Sequence, residues 1–347
     1  MRRLIMALLA APILLVACGG DEQATAVTLI THDSFPTEGP LNDALAAFSA
    51  DTGIGVELVT AGDAGTMVSK AVLTAGNPEG DVMFGIDNTF LSRVIDTDVL
   101  DEYEAGGLDA VPSELRQLVP GGEATPIDFG DVCVNYDRAF FEEQGLTPPT
   151  DLAALADPAY RDLLVVENPA TSSPGLAFLM ATVAEFGEDG WVEYWGTLRD
   201  NWTLVVDGWE QAYYEQFSGA GDGDRPLVVS YGSSPPAEVV FADPPITEAT
   251  TAVIESTCFR QVEFAGVLRG TDAPDEARQL VDFMLSPAFQ EQVALTMFVY
   301  PANGGIELPE VFTDNAAIPS APKSLDPATI DANRESWIDR WTDVVLR

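Results

Sequence analysis

Apolar strands alternate with amphipathic helices along this chain, and nearly every strand stops on a polar cluster. Residues 27–31 read as a strand. "GPLNDALAAFSADTG" (39–53) then sets Leu41, Ala44, Leu45 and Phe48 on one helical face and stops at Gly53. "VELVT" is a strand, and "GTMVSKAVLTAG" a helix with Met67, Val68, Ala71 and Val72 inward. "DVMFGI" is almost wholly apolar, as a strand of a parallel sheet covered on both faces should be, and "NTFLSRVIDTDVL" is helical again. This β-α-β-α-β-α order predicts an α/β fold: a parallel sheet with helices on both faces.

A second such order starts near residue 126. "DVCVNY", "LLVVE" (163–167), "WTLVV", "PLVVSY" and "FRQVEFAGVL" (259–268) read as strands. "PGLAFLMATVAEF", with Pro174 at its first turn, "GWVEYWGTLRD", "WEQAYYEQF", "DEARQLVDFML" and "AFQEQVALTM" read as helices. "SPPAEVVFADPPI" (234–246) is a loop or broken helix, and the tail ends in a helix with Ile338, Trp341 and Val345 inward. With 347 residues there is material for two domains.

Ligands of open parallel sheets sit beyond the carboxyl ends of the strands. Here "THDS", "AGDAG", "DNT", "NPATSSPG", "DGW" and "YGSSPP" each follow a strand. Six polar loops from both halves imply one cleft between two domains. Asp33, Asp63, Asp87 and Asp128 put negative charge near those strand ends, and Trp209 and Tyr231 put aromatic faces there. Such a face stacks on a planar or cationic ligand, worth roughly 0.5–2 kcal/mol. Thr171, Ser172 and Ser173 precede a helix start, where hydroxyls and free N–H groups suit an anion such as phosphate; capping is the plainer role.

Charge and rare residues narrow the chemistry. Lys and Arg number 16 against 56 Asp and Glu, a net charge of -40. That disfavours nucleic acid and anionic lipid and suits either a cationic ligand or a solubilising surface. His32 is the single histidine, so two-histidine zinc sites are excluded and any Ser-His-Asp triad would have to use it. No G-x-S-x-G, G-x-G-x-x-G, P-loop or C-x-x-C motif is present, and no metal or cofactor is expected. A hydrolase is the rival from another class.

The N-terminus reads as an export signal. Arg2 and Arg3 precede an apolar run from Leu4 to Val16, too short to span a bilayer, and "LVAC" resembles the lipobox of bacterial lipoproteins. That resemblance implies a signal peptide over 1–17, a lipid on Cys18 and a tether over 18–26. Cys133 and Cys258 remain. An exported chain with an even remainder suggests a bridge, with two buried free thiols as the alternative.

"HDSF", "GIDNT", "PIDFG", "NPATSSPGL", "DGWEQAY", "VVSYGSSP", "SPAFQ", "VYPAN" and "ESWIDRW", in that order from about residue 27 to 345, resemble the thiamine-binding proteins of bacterial ABC importers, within the type II periplasmic binding-protein class. The resemblance implies two α/β lobes, each a mixed, mostly parallel sheet flanked by helices and joined by crossover strands. Lobe 1 would be 27–125 with 265–347, and lobe 2 would be 126–264. It puts Cys133 and Cys258 at the two crossings, where a bridge would clamp the hinge. It implies a monomeric, non-enzymatic receptor on the outer face of the cytoplasmic membrane or in the periplasm. Thiamine or a thiamine phosphate would be its ligand and a permease its partner.

Carried over residue by residue, the ligand-contacting turn falls on Ala64 and Gly65, the hydroxyl pair on Ser172 and Ser173, and the stacking indole on Trp209. The polar run falls on Tyr231, Gly232, Ser233 and Ser234, and the first wall on His32 and Asp33. The chain departs from the pattern in four places. His32 replaces a tyrosine, Phe298 a tryptophan and Ala237 a tyrosine; Ala64 replaces an acid, with Asp63 beside it as a substitute. This implies a thinner aromatic box. A neutral His32 would face the ligand ring, and its protonation would weaken thiamine binding as pH falls through about 6.5. Ferric-ion or polyamine receptors of the same fold are the alternatives.

Overall fold

The computed structural model describes residues 26–347, so the signal run and Cys18 lie outside the described residues. Nine strands, β1 (Ala26–Thr31), β2 (Gly55–Thr60), β3 (Val82–Asp87), β4 (Thr125–Asp137), β5 (Leu164–Glu167), β6 (Leu204–Val206), β7 (Leu227–Tyr231), β8 (Thr251–Val267) and β9 (Tyr300–Pro301), make one mixed sheet among these residues. Its order is β2-β1-β3-β8-β4-β7-β5-β6, with β9 on β4. The two groups β2-β1-β3 and β7-β5-β6 are parallel within themselves, as the alternation predicts. Between them β4 and β8 run antiparallel to each other and to their other partners.

These two central strands are far longer than "DVCVNY" and "FRQVEFAGVL" suggest. Pro126 and Gly130 in β4, and the polar "ESTC" in β8, read as breaks in the sequence. The sheet absorbs them as irregularities, with register shifts between Pro126 and Asp128 and between Val132 and Val134. At the second shift the Thr257 hydroxyl replaces a lost ladder bond. It accepts from Val134 N at 2.9 Å and donates to Ile254 O at 2.7 Å. The same shift sets Cys133 beside Cys258, both fully buried and joined as a disulfide.

The helices follow the apolar spacing. Pro40–Thr52 buries Leu41, Leu45 and Phe48 and ends at Gly53, whose left-handed φ of 76° lets its N–H cap Ser49 O. The two helices expected over 174–200 fill Ser173–Asp200 and part at Gly187, whose φ of 69° and ψ of 175° are not helical. "WEQAYYEQF" winds as a π-helical turn, Gln211–Gln216, and "SPPAEVVF" as helix Pro235–Phe241. The terminal helix Pro327–Val345 buries Ile330, Arg334, Trp337 and Trp341, while Ile338 and Val345, expected inward, are half-buried. It leans on both halves. Trp341 meets Trp195 edge-on at 5.4 Å, Trp337 Nε1 donates to Glu188 at 2.9 Å, and Arg334 reaches Ser92 Oγ at 2.8 Å.

Candidate functional site

The strand-end loops of both halves close around a cleft of about 190 Å³ over the middle of β4 and β8. Its floor follows from register. Asp87 on β3 pairs with Glu263 on β8, and Glu263 pairs with Asp128 on β4, so three carboxyls stand in a row across three strands. Glu263 lines the cavity, and Asp87 and Asp128 are fully buried beside it. Burial pushes all three upward from the usual carboxylate range. Charge repulsion from Asp128 and Asp87 raises Glu263 further. Neither Asp128 oxygen accepts from any N–H or hydroxyl.

Asp63 stitches the mouth. Its Oδ1 accepts from Ala64 N at 2.7 Å and Ser173 N at 3.3 Å, and its Oδ2 from Trp209 N at 3.1 Å. Burial, reinforced by Asp33, lifts its pKa to about 6 against the pull of those N–H groups. Beside it Gly65 N donates to Thr171 O at 3.0 Å, and a Cβ on Gly65 would lie 2.7 Å from that oxygen. The Ser173 hydroxyl donates to Asp87. Ser172 is the helix N-cap but makes no side-chain cap bond.

The opposite wall is aromatic. Tyr213 stacks on Trp209 at 5.1 Å, and Tyr214 and Tyr231 meet it edge-on at 5.4 Å and 6.3 Å. The indole N–H donates to Ser230 Oγ at 2.9 Å, which fixes the ring. Phe241 touches Phe298 edge-on at 5.6 Å across the far rim. The aromatic lining is therefore fuller than the substitutions at 32, 237 and 298 imply, because Tyr213, Tyr214 and Phe241 come from other elements. No Lys or Arg is among the lining residues.

His32 lines the cleft with Nδ1 2.9 Å from Ser34 Oγ and Nε2 3.7 Å from Glu263 Oε1. Its ring lies so close to Gly85 (φ 95°) that any Cβ there would collide with it. Burial lowers its pKa to about 4. The transition expected near 6.5 is thus moved, because desolvation disfavours the charged ring. A neutral histidine this weakly basic, beside a carboxyl raised by burial, makes a poor general base for Ser34.

Of the residues expected at the site, His32, Ala64, Ser173, Trp209, Tyr231 and Ser234 line the cleft. Asp33 lines a neighbouring acidic vestibule with Asp63, Asp207, Glu210 and Glu215. Gly65, Ser172, Gly232 and Ser233 are buried and do not line the cleft: Gly65 sits in the rim contact, and Gly232 N is tied to Asp131 O at 2.8 Å. Sequence reasoning missed Glu263, Tyr213, Tyr214 and Phe241. A lone acid inside the apolar run "FRQVEFAGVL" was the available signal for Glu263. Among the described residues no group of three or more His, Cys, Asp or Glu side chains could hold a metal ion.

Two long antiparallel strands under a cleft lined from both halves of the sheet fit a solute receptor, and the chain belongs to the bacterial extracellular solute-binding protein family, whose pattern it matches over residues 78–333. It is similar to the thiamine-binding periplasmic protein of Escherichia coli, 28% identical over 341 residues that cover 97% of this chain and 98% of that one. The thiamine-binding periplasmic protein of Brucella suis is 28% identical over 334 residues, 92% of each chain. A solved periplasmic thiamin binding protein superposes with a TM-score of 0.81 at 27% identity, covering 94% of this chain and 98% of that chain. The fold is that of the type II periplasmic binding proteins.

Proposed function

We propose that this chain is an extracytoplasmic receptor that closes on thiamine and delivers it to an ABC importer. One observation carries the reading: a buried row of three carboxyls, with no basic side chain in the lining, lies under an aromatic wall. A planar cation satisfies both surfaces at once. The name shared by the full-length relatives points to the same ligand.

In this reading residues 27–125 with 265–347 form one lobe and 126–264 the other, β4 and β8 are the hinge, and the terminal helix straps the lobes together. Trp209, Tyr231 and Tyr213 hold the ring system, and Glu263 and Asp63 hold the charge. The receptor is monomeric, performs no chemistry on its ligand and is tethered through Cys18. Its family membership and the weak base at His32 support the non-enzymatic part. A ferric site is disfavoured because Tyr231 accepts from Gln261 Nε2 at 3.2 Å and Tyr213 donates to Glu238 at 3.4 Å, which occupies their hydroxyls.

The test is a tryptophan-fluorescence titration of residues 19–347 with thiamine, spermidine and ferric citrate, repeated on Trp209→Ala. Saturable quenching by thiamine, weakened at least about tenfold in the variant, is expected. A response to spermidine or ferric citrate alone would keep the fold and replace the ligand.

A further inference from the structure

The floor of the cleft holds more negative groups than it can keep ionised. Register sets Asp87, Glu263 and Asp128 side by side on β3, β8 and β4, all buried. Residues paired across neighbouring strands lie about 4.5–5.5 Å apart at Cα, so these carboxyls share one low-dielectric space. They are not equivalent. Asp87 accepts from Thr89 N, from Phe90 N at 3.3 Å and from the Ser173 hydroxyl, donors that favour its carboxylate. Neither oxygen of Asp128 has a donor. Glu263 stands between the two and alone of the three lines the cleft.

The neighbouring groups do not neutralise this row. Arg260, also on β8, is paired with Asp131 at 2.7 Å. Arg334, on the terminal helix, donates to Thr89 O at 3.3 Å and to Ser92 Oγ at 2.8 Å. His32 Nε2 is 3.7 Å from Glu263 Oε1, and burial keeps that ring neutral above about pH 4. On β7 burial and the charge of Glu263 hold the Tyr231 hydroxyl protonated, and Asp63 adds negative charge from the mouth. Two adjacent buried carboxyls without a counterion keep a proton, because burial and the first charge both oppose the second ionisation. A cation above Glu263 removes that opposition.

We propose that the Glu263–Asp128 pair is a proton-exchange site: a ligand cation entering the cleft displaces one proton from the pair, so capture trades proton for cation. The O–H bond that breaks gives its proton to water through the cleft that Glu263 lines, and the carboxylate left behind becomes the ligand's counterion. The receptor with a singly charged ligand then carries the same net charge as the free receptor. The proposal rests on the cationic-ligand reading and adds what the receptor gives up on binding.

Isothermal titration of the purified exported protein with thiamine at about pH 7.5, in phosphate, HEPES and Tris, tests it. These buffers take up protons with different heats, so observed heat plotted against buffer ionisation enthalpy has the protons released as its slope. Wild type should release about 0.5–1 proton per thiamine bound. Asp63, lifted to about 6, is already ionised at this pH and contributes little. Glu263→Gln should cut the release at least about twofold. So should Asp128→Asn, which leaves the cleft lining intact and lets Glu263 ionise before the ligand arrives. His32→Asn should leave the release unchanged. Saturable binding with a flat slope in wild type would overturn the exchange and leave the ligand reading standing. So would a release that persists in the carboxyl variants or is lost in His32→Asn. Absence of thiamine binding would overturn the ligand reading, and the proposal with it.

Discussion

At the proposed hinge, β4 and β8 lie side by side, mostly buried, laddered by main-chain hydrogen bonds and bridged by Cys133–Cys258. At the mouth, the two halves meet through Asp63 on Ser173 and Trp209, Gly65 N–H on Thr171, Asp87 on the Ser173 hydroxyl and one aromatic edge, Phe241 on Phe298. The hinge contacts are continuous and independent of ligand. The mouth contacts are few, each worth about 1 kcal/mol, and most converge on two acidic side chains. Opening the mouth therefore takes a small fraction of what separating β4 from β8 would, which is the asymmetry the proposed closure needs.

The largest expected effect breaks the hinge side. The bridge spans 125 residues of sequence, and removing it as Cys133→Ala with Cys258→Ala should cost up to about 5 kcal/mol on the chain-entropy model. Denaturant melts of oxidised and variant protein measure this, and coincident curves would mean the ladder alone secures the hinge. Next comes Gly65→Ala at the mouth. Its Cβ would lie 2.7 Å from Thr171 O across the mouth and 2.9 Å from the buried Phe90 ring, so ligand affinity should fall by about 1–3 kcal/mol, and by more than the ligand-free stability does. A parallel loss of stability would show that Gly65 supports the fold and not the closure.

The smallest effect concerns protons. Asp63, lifted to about 6, binds the cation as carboxylate and the proton as acid. The Asp63 share of the affinity should weaken as pH falls through 6, by at most about tenfold per unit. Asp33, Glu263 and Asp87 also surround Asp63 or the floor, while His32 stays neutral to about 4. The slope between about pH 7 and 5 should therefore persist in His32→Asn, and its disappearance there would assign it to the imidazole after all.

The parallel groups were legible because "VTLIT", "DVMFGI" and "LLVVE" are apolar runs with polar loops behind them. The long crossing strands were not, since Pro126, Gly130 and the ESTC segment interrupt their pattern and only pairing on both sides holds them in the sheet. Trp209, Tyr231 and Ser173 were found at the cleft because each lies at a strand's carboxyl end or a short loop beyond it. Glu263 was hidden within a strand. Its significance depends on register with Asp87 and Asp128, which are more than a hundred residues distant in sequence. Asp63 was read as a substitute for the acid that Ala64 replaces, and two of the N–H groups that define its role come from other loops.

The bond between Cys133 and Cys258 also keeps a record of where the molecule has been. Its partners lie on strands whose second member is synthesised long after the first, so the bond cannot close before Cys258 has been made. Thiols stay apart in a reducing compartment and join in an oxidising one. The fraction of chains carrying the closed bond in a cell extract would thus count those whose residues through Cys258 have reached an oxidising compartment, and a simple alkylation shift on a gel would serve as the odometer.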